Sequence, residues 1–256
     1  MTYLKDKRLS GLTAAVLTGI AFFGISLVVV RFMNGTPWFL FSSAMRLIFG
    51  CLVLFLVKKL YGRSAKDVLS FRNKKESFIA AFGFLLYFVY FVAAFFIGAE
   101  AIKWPSADLF ISRVILQQLT TGFFEEMLHR VLVCEGCRYT KGGFWWKLAY
   151  ALINAVLFGT VHILTGWSTD VFLHTGMIGF AFAVIYLQSG NILLPMILHF
   201  VYDIFANMSG YVVWRDTDFC NALYWGLDIA YVVMFAVSLL LLIRKEKLLT
   251  LRPEIN

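Results

Sequence analysis

"LTAAVLTGIAFFGISLVVV", residues 12–30, carries no charged side chain. A helix rises about 1.5 Å per residue, so a run of this length reaches most of the way across a hydrocarbon core roughly 30 Å thick. It follows the basic segment "MTYLKDKRLSG", the order found in a secretory signal peptide. The apolar run is longer than the roughly 7–15 residues of a signal h-region, however, and no A-x-A-like cleavage site follows it. The stretch reads as a retained membrane anchor, and the rest of the chain repeats its character.

With this first run at 10–31, apolar stretches recur at 37–57, 77–99, 108–133, 146–165, 170–188, 192–213 and 222–243. The 256 residues are 61% hydrophobic and 15% charged, where a soluble domain is nearer half and one quarter. Twenty-seven Phe and seven Trp suit lipid-facing surfaces and interfacial belts. The expected fold is all-α, a polytopic bundle of about eight transmembrane helices. Most of the 23 Lys and Arg fall in the N-terminal segment, the loops near 58–75 and 138–147, and the tail after 243. The positive-inside rule then places both termini in the cytoplasm and sets the net +8 against anionic lipid. No basic and aromatic interleaving argues for nucleic acid. "CEGC" at 134–137 lacks the second ligand pair of a structural zinc site and a thioredoxin-like context, so it reads as two reduced thiols.

Charge inside the apolar runs is the exception that calls for function, because an ionisable group in mid-membrane usually faces protein or a water cavity. The fourth span contains "TGFFEEMLHR", residues 121–130, with Glu125, Glu126, His129 and Arg130, and carries Arg113 above it. The fifth carries His162, the sixth His174, and the seventh His199 and Asp203. Residues three or four apart share a helix face. Glu126 and Arg130 can therefore pair, while Glu125 points about 100° away and is free for other work. Asp203 can accept from the imidazole of His199 one turn away and fix its tautomer. Phe158 is the apolar neighbour one turn before His162. His129 and His174 read as packing residues, His174 without a partner, and Arg46 and Arg113 receive no chemistry. One carboxylate and two histidines on three spans can converge on a water, with or without a metal. Counted along the helices, Glu125 and His199 lie at similar depth and His162 deeper, unless the fifth helix starts later and "GGFWWK" lies along the interface.

The three motifs E-E-x-x-x-R (125–130), F-x-x-x-H (158–162) and H-x-x-x-D (199–203), in that order, resemble the CPBP (CAAX protease and bacteriocin-processing, Abi) family of intramembrane endopeptidases. The resemblance covers about residues 105–207. It implies that Glu125 activates the attacking water, that Glu126 is the second glutamate with Arg130 its partner, that His162 helps bind the water or a metal, and that His199 and Asp203 complete the site. Val131 stands where many members have glycine. A divalent metal such as Zn²⁺ held by His162, His199 and Glu125, with an open position, is one version of such a site. A metal-free glutamate mechanism is the other.

The expected organisation is one integral domain: transmembrane helices over 1–104, the catalytic helix core over 105–207, and the last helix with a basic tail over 208–256. The expected function is hydrolysis of a membrane-associated peptide or protein in a bacterial plasma membrane. A CaaX-type chain, a pheromone or a bacteriocin precursor would be the substrate, with a possible link to bacteriocin self-immunity. A non-catalytic scaffold or regulator of envelope enzymes is the alternative. A proton-coupled transporter also uses buried carboxylates, but inverted repeats are not evident.

Overall fold

The computed structural model describes residues 6–140, 143–164 and 166–250, with the backbone alone for 245–250. Residues 1–5 and 251–256 of the expected basic ends lie outside the described residues, as do Lys141, Gly142 and Thr165. The chain forms helices α1 (Lys7–Val29), α2 (Gly35–Tyr61), α3 (Ala65–Val68), α4 (Lys74–Ala80) and α5 (Phe82–Gly98). After strand β1 (Ala99–Ile102) comes a composite helix, α6, over 107–133. Then follow α7 (Phe144–His162), α8 (Thr169–Ser189), α9 (Leu193–Met208), strand β2 (Val212–Trp214) and α10 (Thr217–Thr250).

Five of these helices are long and apolar enough to cross a membrane, or six if α4 and α5 are one broken span. The protein is thus a multi-pass membrane protein. The helices that fall short are α6, which carries the charged motif, and α9, which has only 16 residues. The third expected span is bent by 59° between α4 and α5. Its two halves are held by different partners. Asn73 Nδ2 donates to the Ser189 carbonyl at 2.7 Å and Asn191 Nδ2 to Ser77 Oγ at 3.0 Å, tying α4 to the α8–α9 turn. The α5 half packs on α10, where a Cβ on Gly83 would lie 2.8 Å from the Met234 carbonyl oxygen.

The sequence pattern did not foresee a sheet. β1 pairs antiparallel with β2, Ala99 opposite Trp214 and Ile102 opposite Val212. The pairing joins the end of α5 to the α9–α10 connection and satisfies backbone that leaves both helices.

Burial ranks the helices. In α8, 56% of the apolar window is buried inside the protein, against 17% in α1 and in α10. α8 is therefore the centre of the bundle, with Phe180, Phe182 and Ile185 fully enclosed, while α1 and α10 form its rim. Leu17, Ile20, Ile229 and Leu240 remain exposed there, which suits lipid and would be unfavourable in water.

α6 is not a uniform α-helix. An α segment, Gln117–Glu125, lies between two π segments, Phe110–Leu116 and Glu126–Val133. Wide turns of this kind recur at functional sites because they rotate side chains relative to a regular helix. The second begins at Glu126. The carbonyl of His129 inside it accepts from the buried Asn154 side chain of α7 and from the Cys134 thiol, so this backbone acceptor is satisfied.

Candidate active site

Three helices bring the motif residues to one place. α6 presents Glu125, Glu126, His129 and Arg130, α7 presents Phe158 and His162, and α9 presents His199 and Asp203. Close backbone approach makes this possible at two glycines. A Cβ on Gly122 would stand 3.1 Å from the Met196 carbonyl oxygen of α9, and one on Gly179 of α8 would stand 2.9 Å from Phe158 Cβ. The first glycine sets α9 against α6, and the second seats the Phe158 ring.

Glu126 and Arg130 are both fully buried. Arg130 Nε lies 3.1 Å from Glu126 Oε2, an ion pair too poorly aligned to be a hydrogen bond. The guanidinium is also over the Phe158 ring at 4.3 Å and faces Phe182 at 5.3 Å, so ring quadrupoles add to the attraction. The other glutamate oxygen, Oε1, meets His199 Nδ1 at 2.8 Å. The acid that holds His199 is therefore Glu126, on another helix. The Asp203 one turn away was expected in that role, but its Oδ2 faces Nε2 at 3.4 Å, without hydrogen-bond geometry.

Glu125 differs from its neighbour. Its side chain is 16% exposed, and its Oε2, 3.8 Å from His199 Nε2, has no hydrogen-bond partner. His199 Nε2 thus faces two carboxylates while Nδ1 is engaged by a third.

His162 ends α7, which begins at Phe144, so a later start of this helix does not account for its depth. Its link to the centre is Phe158. The Phe158 ring lies 4.6 Å from the His162 ring, 5.3 Å from that of His129 and 5.8 Å from that of His199. His162 Nδ1 lies 2.7 Å from the Phe158 carbonyl oxygen, an acceptor, so Nδ1 carries the proton there and Nε2 is left as the acceptor.

The donors do not fit a metal as placed. Among the described residues no three His, Cys, Asp or Glu side chains form a group able to hold an ion. The proposed set of His162, His199 and Glu125 is split by the Phe158 ring, and His199 Nδ1 is already engaged by Glu126.

Elsewhere, His174 does have a partner. Its Nε2 is 3.1 Å from Asp228 Oδ1, and its ring stacks on Tyr231 at 4.1 Å. Cys134 and Cys137 are both buried. Val131 is fully enclosed in the core. Two contributors had been given no role in the site: Phe158, read only as an apolar neighbour, and Arg46 of α2, which interacts electrostatically with Glu125 and Asp203. An arginine in an apolar span was the available signal for the second.

The protein is a membrane-embedded bundle in which three carboxylates, one fully buried, converge on one imidazole. Residues 107–205, from the start of α6 into α9, match the family model described as Rce1-like, type II CAAX prenyl endopeptidase Rce1-like. This segment, which holds all three motifs, is thus similar to the CAAX-type endopeptidases of the CPBP family. No curated protein and no solved structure matches it.

Proposed function

We propose that the protein is an intramembrane endopeptidase that uses Glu125 to activate water. The observation that carries this reading is the contrast between adjacent glutamates. Glu126 is fully buried, with Oε1 on His199 and Oε2 paired with Arg130, whereas the Glu125 side chain is partly accessible and its Oε2, without a hydrogen-bond partner among the described residues, faces His199 Nε2 at 3.8 Å. A water held between Glu125 Oε2, His199 and Asp203 would give a proton to Glu125 while its oxygen attacks the scissile carbonyl carbon. The tetrahedral adduct then expels the amine, which takes that proton from Glu125. Positioned proton transfer of this kind contributes about 10²–10⁴-fold. Glu126 keeps the His199 ring in register, and Asp203 sets the polarity around Nε2. The family description supports a membrane-associated, CaaX-type peptide as substrate. A pheromone or bacteriocin precursor is the bacterial form of that class, and self-immunity its use.

The test is cleavage of a farnesylated CaaX peptide and of a bacteriocin-leader peptide by purified protein in liposomes. Glu125→Gln should lose at least about 10²-fold in turnover with unchanged thermal stability, since among the described residues Glu125 Oε2 has no hydrogen bond to lose. Equal cleavage by wild type and Glu125→Gln would end the mechanism. A cellular phenotype fully retained in Glu125→Ala would favour the scaffold instead.

A further inference from the structure

The proposed hydrolysis places negative charge on the former carbonyl oxygen, and that charge needs a donor aimed at it. The motif residues are poorly placed to supply one. Arg130 is fully buried against Glu126 and the Phe158 ring. His162 Nδ1 is bound to the Phe158 carbonyl. His199 has one nitrogen on Glu126 and the other between Glu125 and Asp203, where the water would sit.

Arg46 lies outside the matched segment, on α2. Its Nη1 donates to the Ser42 hydroxyl and, at 3.4 Å, to the Ser42 carbonyl. Gln117 Nε2 of α6 reaches the same hydroxyl at 3.4 Å, so α2 and α6 are tied where the arginine emerges. The guanidinium lies 5.5 Å from the Phe22 ring of α1. Nε is buried and has no partner. The Phe22 ring stands in turn 4.5 Å from the ring of Phe124, the residue before Glu125, and Glu125 and Asp203 are the carboxylates whose charge bears on Arg46, although among the described residues none forms an ion pair with it. A cation in an apolar span is costly and usually faces a protein interior or a water cavity, so one without an ion pair near the site has donors to offer there.

Resting on the endopeptidase reading above, we propose that Arg46 is a catalytic residue that stabilises the oxyanion of the tetrahedral adduct. When the water oxygen bonds to the carbonyl carbon, the C=O π pair moves to the carbonyl oxygen. That oxygen accepts N–H bonds from Arg46, with no bond made to the guanidinium and no proton transferred. The pair returns when the amine leaves, and the interaction weakens again. Arg46 therefore acts on the transition state more than on bound substrate, which is the condition for raising kcat.

The experiment compares Arg46→Gln, Arg46→Lys and Ser42→Ala with wild type and Glu125→Gln, on the farnesylated CaaX peptide in liposomes. Thermal melting in detergent is recorded for each. Arg46→Gln should lower kcat about 10²–10³-fold while KM changes little. Arg46→Lys should recover part of the rate, because one donor and the charge remain. Ser42→Ala, which frees the guanidinium without removing it, should lower kcat less. A phosphinate analogue of the cleaved bond should inhibit wild type far more strongly than Arg46→Gln. Wild-type kcat in Arg46→Gln, or a loss confined to KM, would overturn the assignment while Glu125→Gln remained inactive. Failure of Glu125→Gln to differ from wild type would instead remove the endopeptidase mechanism itself.

Discussion

His199 Nδ1 and Glu126 Oε1 lie 2.8 Å apart across the α6–α9 interface, and the same carboxylate holds Arg130 through its other oxygen at 3.1 Å. Glu126 is thus both the counter-ion of a fully buried cation and the residue that orients the imidazole. These two duties separate in experiment.

Removing one partner of a buried ion pair leaves the other uncompensated, at a cost of about 3–5 kcal/mol. Glu126→Leu and Arg130→Met should each destabilise by about that amount. The double variant should recover much of the loss, since neither charge is then stranded. It should still be inactive, because His199 has lost its anchor. Denaturant unfolding in micelles, read beside peptide cleavage, checks both halves.

Glu126→Gln keeps the shape but weakens the hydrogen bond to His199. A hydrogen bond to a charged group is worth about 1.5–3 kcal/mol, which corresponds to roughly 10- to 150-fold in rate. Asp203→Asn should cost less than about tenfold, because its oxygen stands 3.4 Å from Nε2 without hydrogen-bond geometry. Turnover of the two variants on one peptide tests the ranking, and the reverse order would assign His199 to Asp203.

Phe158 joins His129, Arg130, His162 and His199 through one ring. Phe158→Ala should destabilise by about 3–5 kcal/mol, the usual cost of deleting a buried aromatic ring. It should also separate His162 from the centre. Phe158→Leu should retain more stability, yet lose the cation–π contact with Arg130. Melting and cleavage measured together distinguish packing from the link to His162.

His174 should be silent in the reaction. Its contact with Asp228 is partly exposed, at 20% and 37%, and pairs of that kind contribute roughly 0–1 kcal/mol. His174→Phe keeps a flat ring against Tyr231 and should leave cleavage within about twofold of wild type, a barrier change well below 1.4 kcal/mol. A large loss of kcat would place His174 in the chemistry.

Chelation should leave cleavage unchanged, because His162, His199 and Glu125 do not gather into a three-donor group. Turnover after treatment with phenanthroline and dialysis, against the untreated protein, measures this. Loss of activity restored by added Zn²⁺ would require the three donors to come together in the working state.

What the sequence determined by itself lies along single helices. Uncharged runs long enough for a bilayer placed the chain in a membrane, because lipid offers no partner for charge or open backbone. Helical periodicity put Glu126 with Arg130 and turned Glu125 away, since both follow from 3.6 residues per turn. The ordered motifs pointed to about residues 105–207, and the family model matches 107–205.

Tertiary structure decided everything that crosses from one helix to another. That Glu126 and not Asp203 is the close partner of His199 depends on how α6 and α9 meet at Gly122. The π turns of α6 rotate residues that a regular helix would place elsewhere, so facing angles counted at 100° per residue lose accuracy from Glu126 onward. Arg46 lies about 80 residues before the motif glutamates, and only the packing of α2 on α6, tied at Ser42 and Gln117, brings that helix to theirs. The β1–β2 pairing and the bend before α5 arise in the same way, from backbone and side-chain partners far away in the chain. Periodicity records which face of a helix is apolar, but the residue that covers that face is chosen by close packing in three dimensions.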